Sequence, residues 1–186
     1  MRRRIVSLVL GSAAALGGAL APAPLSAAGN VVVLQNFTGN KCLQPINGST
    51  AQGAAIVQEP CSKTSAAQQW AQVPVGNNNF HYVNSVSGLC LDARGGAANH
   101  TPVQQWTCNN ISNENWQPGA DEDDDIPPLF SRVSGTMDYC LDVPGGQTTT
   151  AGLAMQIYRC NGTISQIWQI YPPGFEARRR HERNLK

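Results

Sequence analysis

The stretch "CLDARGGAANHTPVQQWTCNNISNENW", residues 90–116, contains the pattern on which the fold prediction depends. It opens with Cys-Leu-Asp, reaches a second Cys after 18 residues and closes with Trp eight residues later. Similar stretches begin at Cys42 with "CLQP" and at Cys140 with "CLDV", and their second cysteines are Cys61 and Cys160. Each stretch closes with a Trp in a short triplet, namely "QQW" at Trp70, "ENW" at Trp116 and "QIW" at Trp168. Because these landmarks recur three times in the same order, the chain is an internal threefold repeat.

The first 28 residues have the layout of a secretory signal peptide. A basic start, "MRRR", precedes the apolar run "IVSLVLGSAAALGGALA", and Ser26 and Ala28 are placed for cleavage before Gly29. A transmembrane anchor is the alternative, but the run has about 17 residues, is rich in Gly and Ala and is followed by Pro22 and Pro24. We therefore expect a secreted mature protein with no stable membrane insertion.

Six cysteines in an exported chain predict three disulfides. Three equivalent repeats make equivalent bonds, which pair Cys42–Cys61, Cys90–Cys108 and Cys140–Cys160. Each bond would close a loop of about 20 residues, a stabilisation of about 3 kcal/mol by chain entropy. Free catalytic or metal-binding thiols are the competing interpretation. The even cysteine count and the lack of a Cys-x-x-Cys motif in the sequence argue against it.

The charge balance argues against one class of partner. The chain has 13 Lys and Arg residues against 12 Asp and Glu residues, and loss of the three signal arginines leaves ten against twelve. Five of those ten positive charges lie in the tail 178–186. The body is therefore acidic, which argues against nucleic-acid binding. We expect residues 174–186 to form a disordered tail and "DEDDD" (121–125) a solvated loop, because it lacks the Gly and Glu of a calcium loop.

The apolar runs in each repeat are short. Examples are "VVVLQNF", "FHYVNSV" and "WQIYP", and Gly, Asn and Pro separate such runs. This pattern is typical of strands and turns, and no window predicts a long amphipathic helix. We predict an all-β protein with three four-stranded repeats, about 31–78, 79–128 and 129–173. Closure around a threefold axis would hide the strand edges.

The recurring pattern "CLD", "VQxW-x-C" and "QxW" resembles the ricin B-chain-type β-trefoil lectins and carbohydrate-binding modules over about residues 30–173. The resemblance implies a six-stranded barrel capped by a triangle of hairpins. It implies up to three shallow sites for sugars such as galactose or xylose. We expect neither a cofactor nor a metal. It also implies that Trp70, Trp116 and Trp168 pack into the shared core.

The same resemblance implies where sugar-binding residues lie. A carboxylate directly follows Cys-Leu, and it would accept hydrogen bonds from two hydroxyls. A ring two residues before the second Cys would pack on the sugar's C–H face, with amides reading hydroxyl orientation. The second repeat supplies Asp92, Gln104, Trp106, Asn113 and Glu114. The third repeat supplies Asp142, Gln156, Tyr158, Ser165 and Gln166.

Three departures from the family pattern shape the prediction. Glu114 stands where Gln is usual, and it could tighten or repel a hydroxyl contact. Ser165 stands where Asn is usual, which predicts a weaker or water-mediated site. The first repeat departs at four positions and is predicted to have no working site: Gln44, Val57, Glu59 and Ala67. A structural role is the alternative for the matching residues, since Asp can cap a turn and a ring can be a half-buried strand residue.

Catalysis has little support in the sequence. The histidines His81, His100 and His181 have no partner motif. Asp92 and Asp142 could suggest a glycosidase pair, but they occupy equivalent positions of different repeats. We expect a secreted, non-catalytic glycan-binding protein. Two alternatives stay open: a trefoil that binds protein, such as a protease inhibitor or toxin subunit, and a module that works beside a polysaccharide-degrading enzyme.

Overall fold

A computed structural model describes residues 29–37, 39–119 and 127–174. The signal-peptide prediction, the acidic run 121–125 and the predicted tail after residue 174 lie outside these residues. The described residues form 13 β-strands and five short 3₁₀ turns. None of their helices is long and apolar enough to cross a membrane.

Each repeat contributes four main strands. The first repeat contains β1 (Asn30–Asn36), β2 (Lys41–Pro45), β3 (Ile56–Pro60) and β4 (Trp70–Gly76). The second contains β5 (Asn79–Asn84), β6 (Cys90–Ala93), β7 (Thr101–Trp106) and β8 (Trp116–Pro118). The third contains β9 (Leu129–Ser131), β10 (Tyr139–Asp142), the short β11 (Leu153–Ala154), β12 (Gln156–Arg159) and β13 (Trp168–Tyr171).

The first and fourth strands of the repeats form a closed barrel of six strands. Antiparallel pairing runs from β1 to β4, β4 to β5, β5 to β8 and β8 to β9. β13 then pairs with β1, and a bridge between Pro128 and Ile167 joins the starts of β9 and β13. Closure of the ring pairs the backbone edges that an open sheet would expose.

The remaining strands form three hairpins that cap one end of the barrel. They are β2–β3, β6–β7 and β10–β12, all antiparallel. Neighbouring hairpins contact one another through β3 with β11, β7 with β12 and a bridge between Ala55 and Gln104. The hairpins therefore close a triangle. The molecule is a β-trefoil, which confirms the predicted fold class.

A buried Trp in each repeat connects the barrel to its hairpin. Trp70, Trp116 and Trp168 are at most 1% exposed and open β4, β8 and β13. Their indole Nε1 atoms donate hydrogen bonds to backbone carbonyl oxygens in the first hairpin strand, at Leu43 (3.2 Å), Leu91 (2.9 Å) and Leu141 (3.0 Å). These leucine side chains are fully buried in the same core. The bonds satisfy polar groups that burial would otherwise leave without partners.

Three disulfides close the hairpins. They join Cys42 to Cys61, Cys90 to Cys108 and Cys140 to Cys160, with separations of 19, 18 and 20 residues. These are the pairs that the repeat predicts. Each bond joins the strand that contains the Cys-Leu pair to the chain just after the hairpin's second strand, so it fixes the register between them.

We expect Trp116→Phe to lower the free energy of unfolding by about 2–4 kcal/mol. The change removes the donor to the buried Leu91 carbonyl and leaves a cavity beside it. Guanidinium denaturation with the disulfides intact measures the loss. Trp106→Phe is the matched control, because Trp106 is only half-buried, and it should cost about 1 kcal/mol or less. Equal losses in the two variants would contradict this account of the core.

Candidate functional site

The hairpin register brings the carboxylate, amide and ring positions together. In the second repeat Asp92 lies opposite Gln104, and Cys90 lies opposite Trp106. The third repeat has the same register, in which Asp142 lies opposite Gln156 and Cys140 lies opposite Tyr158. Strand residues two apart point to the same face, so the ring and the amide share one face of each hairpin.

The second repeat contains a cleft of about 360 Å³. Asp92, Gln104, Trp106 and Asn113 all line it, so the structure brings together four of the five residues predicted here. Gln104 Nε2 donates to Asp92 Oδ1 at 2.8 Å and orients the carboxylate. The Trp106 ring is half-buried, and Asn113 sits in the 3₁₀ turn Ser112–Glu114.

The Asp92 carboxyl is held in a partly desolvated environment. Burial raises its pKa above the ordinary aspartate value, and the hydrogen bond from Gln104 opposes this shift. Among the described residues, none donates a hydrogen bond to the second oxygen, Oδ2. A carboxylate placed in this way can accept hydrogen bonds from a ligand's hydroxyls.

Four further residues line this cleft and were not predicted: Gly53, Arg94, Gly95 and Ile111. Gly53 belongs to the first repeat and reaches the second across the boundary between hairpins. Its N–H donates to the Gln105 carbonyl at 2.8 Å, and a Cβ built on it would lie 3.5 Å from Trp106 Cζ3. A reading confined to one repeat could not find such a residue.

The third repeat assembles a related group of residues with different bonding. The Asp142 carboxylate accepts from Gln156 Nε2 at 2.7 Å and from Ser165 Oγ at 3.0 Å. Ser165 is itself bonded to Thr163 Oγ1 at 2.8 Å. Both Asp142 oxygens therefore accept hydrogen bonds from protein side chains, whereas among the described residues only Oδ1 of Asp92 does. The ring of Tyr158 is half-buried beside them.

His100 lies at the third-repeat site although the sequence places it in the second repeat. Its Nδ1 is 3.0 Å from Gln156 Oε1, and its ring meets Tyr158 edge-on with centroids 5.0 Å apart. From the sequence, His100 is a candidate only for catalysis. The missed signal was its position eight residues before the second Cys, where the other repeats have Gly53 and Gly152.

The structure corrects the prediction for Glu114 and Gln166, whose side chains lie behind the sites with 0% and 1% exposure. The Glu114 carboxylate accepts hydrogen bonds at 3.0 Å from the backbone N–H groups of Asn109 and Asn110. Gln166 Oε1 accepts from the N–H of Asn161 at 2.9 Å, and its Nε2 donates to the Arg159 carbonyl at 3.2 Å. Both residues hold the chain that follows the second Cys, because that chain has no strand partner there.

The hairpin of the first repeat has different chemistry. Gln44 Oε1 accepts a hydrogen bond from Gln68 Nε2 at 3.0 Å, and Val57, opposite Gln44, is 1% exposed. Glu59 occupies the ring position, opposite Cys42. This hairpin therefore presents neither the carboxylate–amide pair nor the ring of the other two.

One buried cluster, His81, Cys90 and Glu114, has the composition of a metal site. The sulfur of Cys90 is in a disulfide, so it offers no thiolate ligand. His81 Nε2 lies 2.8 Å from Asn115 Oδ1 and 3.9 Å from a Glu114 oxygen. The cluster fits a hydrogen-bonded part of the core better than a metal site.

The family model for the ricin-type β-trefoil lectin domain matches residues 24–106 and 83–158. The chain belongs to this family. Among solved structures, the designed threefold-symmetric protein ThreeFoil is 28% identical with a TM-score of 0.69, covering 75% of this chain and 96% of that one. No curated protein matches the chain.

Two further structures are similar. The exo-β-1,3-galactanase of Clostridium thermocellum is 28% identical with a TM-score of 0.69, and the match covers 77% of this chain but 30% of the enzyme. The Macrolepiota procera ricin B-like lectin, solved with lactose, is 22% identical with a TM-score of 0.66 and shares the fold, covering 78% of this chain and 96% of the lectin.

Asp92→Asn should raise the free energy of unfolding at pH 7. Because burial raises the pKa of Asp92, its ionised form destabilises the folded state at neutral pH. The advantage of the variant should shrink as the pH falls from the raised folded-state pKa towards the ordinary value of about 3.9. Urea denaturation across this pH range measures it. Asp142→Asn is the matched control and should lower stability, since both its oxygens accept protein hydrogen bonds.

Glu114→Ala should lower the free energy of unfolding by about 2 kcal/mol, because it removes the acceptor for the N–H groups of Asn109 and Asn110. Glu114→Gln should lower the free energy of unfolding by about 1 kcal/mol or less, since Gln68 and Gln166 accept the equivalent backbone hydrogen bonds in the other repeats. Urea denaturation tests both changes. An alanine variant as stable as the wild type would contradict the positioning role.

Proposed function

We propose that this protein is a secreted, non-catalytic glycan-binding protein with shallow sites in its second and third repeats. One observation carries the proposal: the Asp92 carboxylate lines an open cleft beside the half-buried Trp106 ring, and Gln104 holds one of its oxygens. An oriented acceptor next to a flat apolar ring matches the two faces of a pyranose, its hydroxyls and its C–H surface.

The ligand class is a galactose- or xylose-type sugar. In the second repeat, Asp92 accepts hydrogen bonds from two neighbouring hydroxyls while the ring packs on Trp106. Asn113 both donates and accepts, so it reads hydroxyl orientation. In the third repeat, a sugar packs on Tyr158 beside Asp142 and Gln156, with Ser165 contributing through the carboxylate that it holds.

The comparisons support the same class. The family is that of ricin-type lectin domains, and the structurally similar Macrolepiota lectin was solved with lactose. An earthworm R-type lectin of the same fold, with a TM-score of 0.61 at 15% identity, was solved with GalNAc. The similarity to part of a galactanase makes a module that works beside an enzyme the nearest competing role.

Two weak sites on one rigid body suit a polymer or a glycan-covered surface. A single shallow site of this kind binds at about millimolar strength, near −4 kcal/mol. When both sites engage one extended glycan, the second binding event becomes intramolecular and the apparent affinity rises. The three disulfides and the predicted signal peptide suit an oxidising, extracellular location.

Trp106→Ala should weaken binding to an immobilised galactosyl or xylan ligand at least tenfold, and adding Tyr158→Ala should abolish it. Each change removes a ring on which a sugar packs. Glu59→Ala is the matched control, because Glu59 has the same register position in the first repeat, and it should change binding less than twofold. Glycan-array and affinity-electrophoresis measurements read out the effect.

The alternatives predict other outcomes. A blank array together with capture of a protein partner by the folded chain would overturn the proposal in favour of a protein-binding trefoil. Retention on insoluble xylan, with no retention on galactosyl resin, would identify the module role instead.

A further inference from the structure

One loop of each repeat reaches over the hairpin of the next repeat. The equivalent residues at these crossings are Gly53, His100 and Gly152, each eight residues before its second Cys. Their N–H groups donate to carbonyl oxygens in the neighbouring hairpin, at Gln105 (2.8 Å), Ile157 (3.1 Å) and Gln58 (2.9 Å). The crossing places a residue of one repeat beside the ring position of the next.

His100 occupies a position where the other two repeats have glycine and where the backbone conformation favours glycine. The three residues have φ values of 81°, 66° and 73° in the order Gly53, His100 and Gly152, all in the left-handed region. A side chain with a Cβ adopts this conformation at a cost. At Gly53 the space beside Trp106 is left open, whereas at His100 an imidazole fills the equivalent space beside Tyr158.

Hydrogen bonding fixes which His100 nitrogen carries the proton. A carboxylate only accepts hydrogen bonds, so Gln156 must point its amide nitrogen at Asp142 and its oxygen at His100. His100 Nδ1 therefore carries the proton and donates to Gln156 Oε1. In the neutral ring, Nε2 then remains as an acceptor.

We propose that His100 is a specificity-determining residue of the third-repeat site, contributed by the second repeat. This inference depends on the proposed glycan-binding function. His100 Nε2 accepts a hydrogen bond from one hydroxyl of a sugar packed on Tyr158, and the imidazole limits the site at that edge. The two sites then differ in preference: the third repeat requires a hydroxyl donor at the His100 edge, whereas the second leaves that edge open at Gly53.

A purely structural role is the competing explanation. Gln105 Nε2 holds the loop that carries Gly53 by donating to the carbonyls of Ser49 and Ala51, both at 2.8 Å. In the third repeat the equivalent residue is Ile157, whose side chain has no donor and cannot hold the loop that carries His100. His100 could simply hold its own loop through Gln156. The test must therefore measure discrimination between sugars as well as stability.

The experiment compares Trp106→Ala with the double variant Trp106→Ala/His100→Gly. Both variants lack the ring of the second-repeat site, so the measured binding comes from the third-repeat site. Wild-type protein is first titrated with methyl galactoside and, separately, with methyl xyloside, and NMR measures the binding of each sugar. The monodeoxy derivatives of whichever sugar binds are then titrated into both variants. We expect one missing hydroxyl to weaken binding at least fivefold with His100 present and less than twofold with glycine. Thermal stability should not fall, because glycine adopts this φ freely.

Three outcomes would count against the role of His100 or against the proposed function. Equal deoxy-sugar penalties in the two variants, or tighter binding by the double variant, would overturn the role of His100 while leaving the lectin function in place. Binding by the wild type but not by Trp106→Ala would also overturn it, since the third repeat would have no site. Absence of sugar binding by the wild type would show that the proposed function itself has failed.

Discussion

The hydrogen bond from each buried indole to a leucine carbonyl ties the barrel to its cap. The Trp lies on a barrel strand and the Leu on a hairpin strand, and in two repeats the next residue is the site carboxylate. Fixing the Leu91 carbonyl therefore fixes the backbone from which Asp92 projects. Because strand side chains alternate between faces, the same peptide turns Leu91 into the core and Asp92 towards the cleft.

This alternation explains why the three repeats can differ in the side chains at the candidate-site positions without losing the fold. The core face keeps Leu43, Leu91 and Leu141, all fully buried. The side chains on the opposite face can change without disturbing the core. Gln44 stands where the other two repeats have aspartate, and its Oε1 accepts a hydrogen bond from Gln68. A repeat can thus lose its ligand chemistry while its disulfide, Trp and hairpin register continue to support the other two.

The sequence predicted the features that recur within a repeat. Cysteine spacing, the closing Trp and the Asp–ring spacing all follow from contacts inside one repeat, where strand register converts sequence distance into position. The predicted fold followed from them, and the family resemblance that they carry implied the grouping of Asp92, Gln104 and Trp106. Glu114 was predicted to contact the ligand because the family resemblance implies a contact at its position, whereas its burial and its backbone partners are properties of the folded loop.

Residues that act across a repeat boundary could not be predicted from one repeat. Gly53 and His100 reach the neighbouring site only because the hairpins close a triangle, a consequence of topology. The closure also gives each site two independent sources of variation: its own hairpin and the preceding loop. A site whose own repeat departs from the family pattern, as the third repeat does at Ser165, can gain a new contact from the loop of the preceding repeat. The two candidate sites are therefore built on one scaffold yet offer different acceptors, Asp92 Oδ2 in the second repeat and, as proposed, a His100 nitrogen in the third.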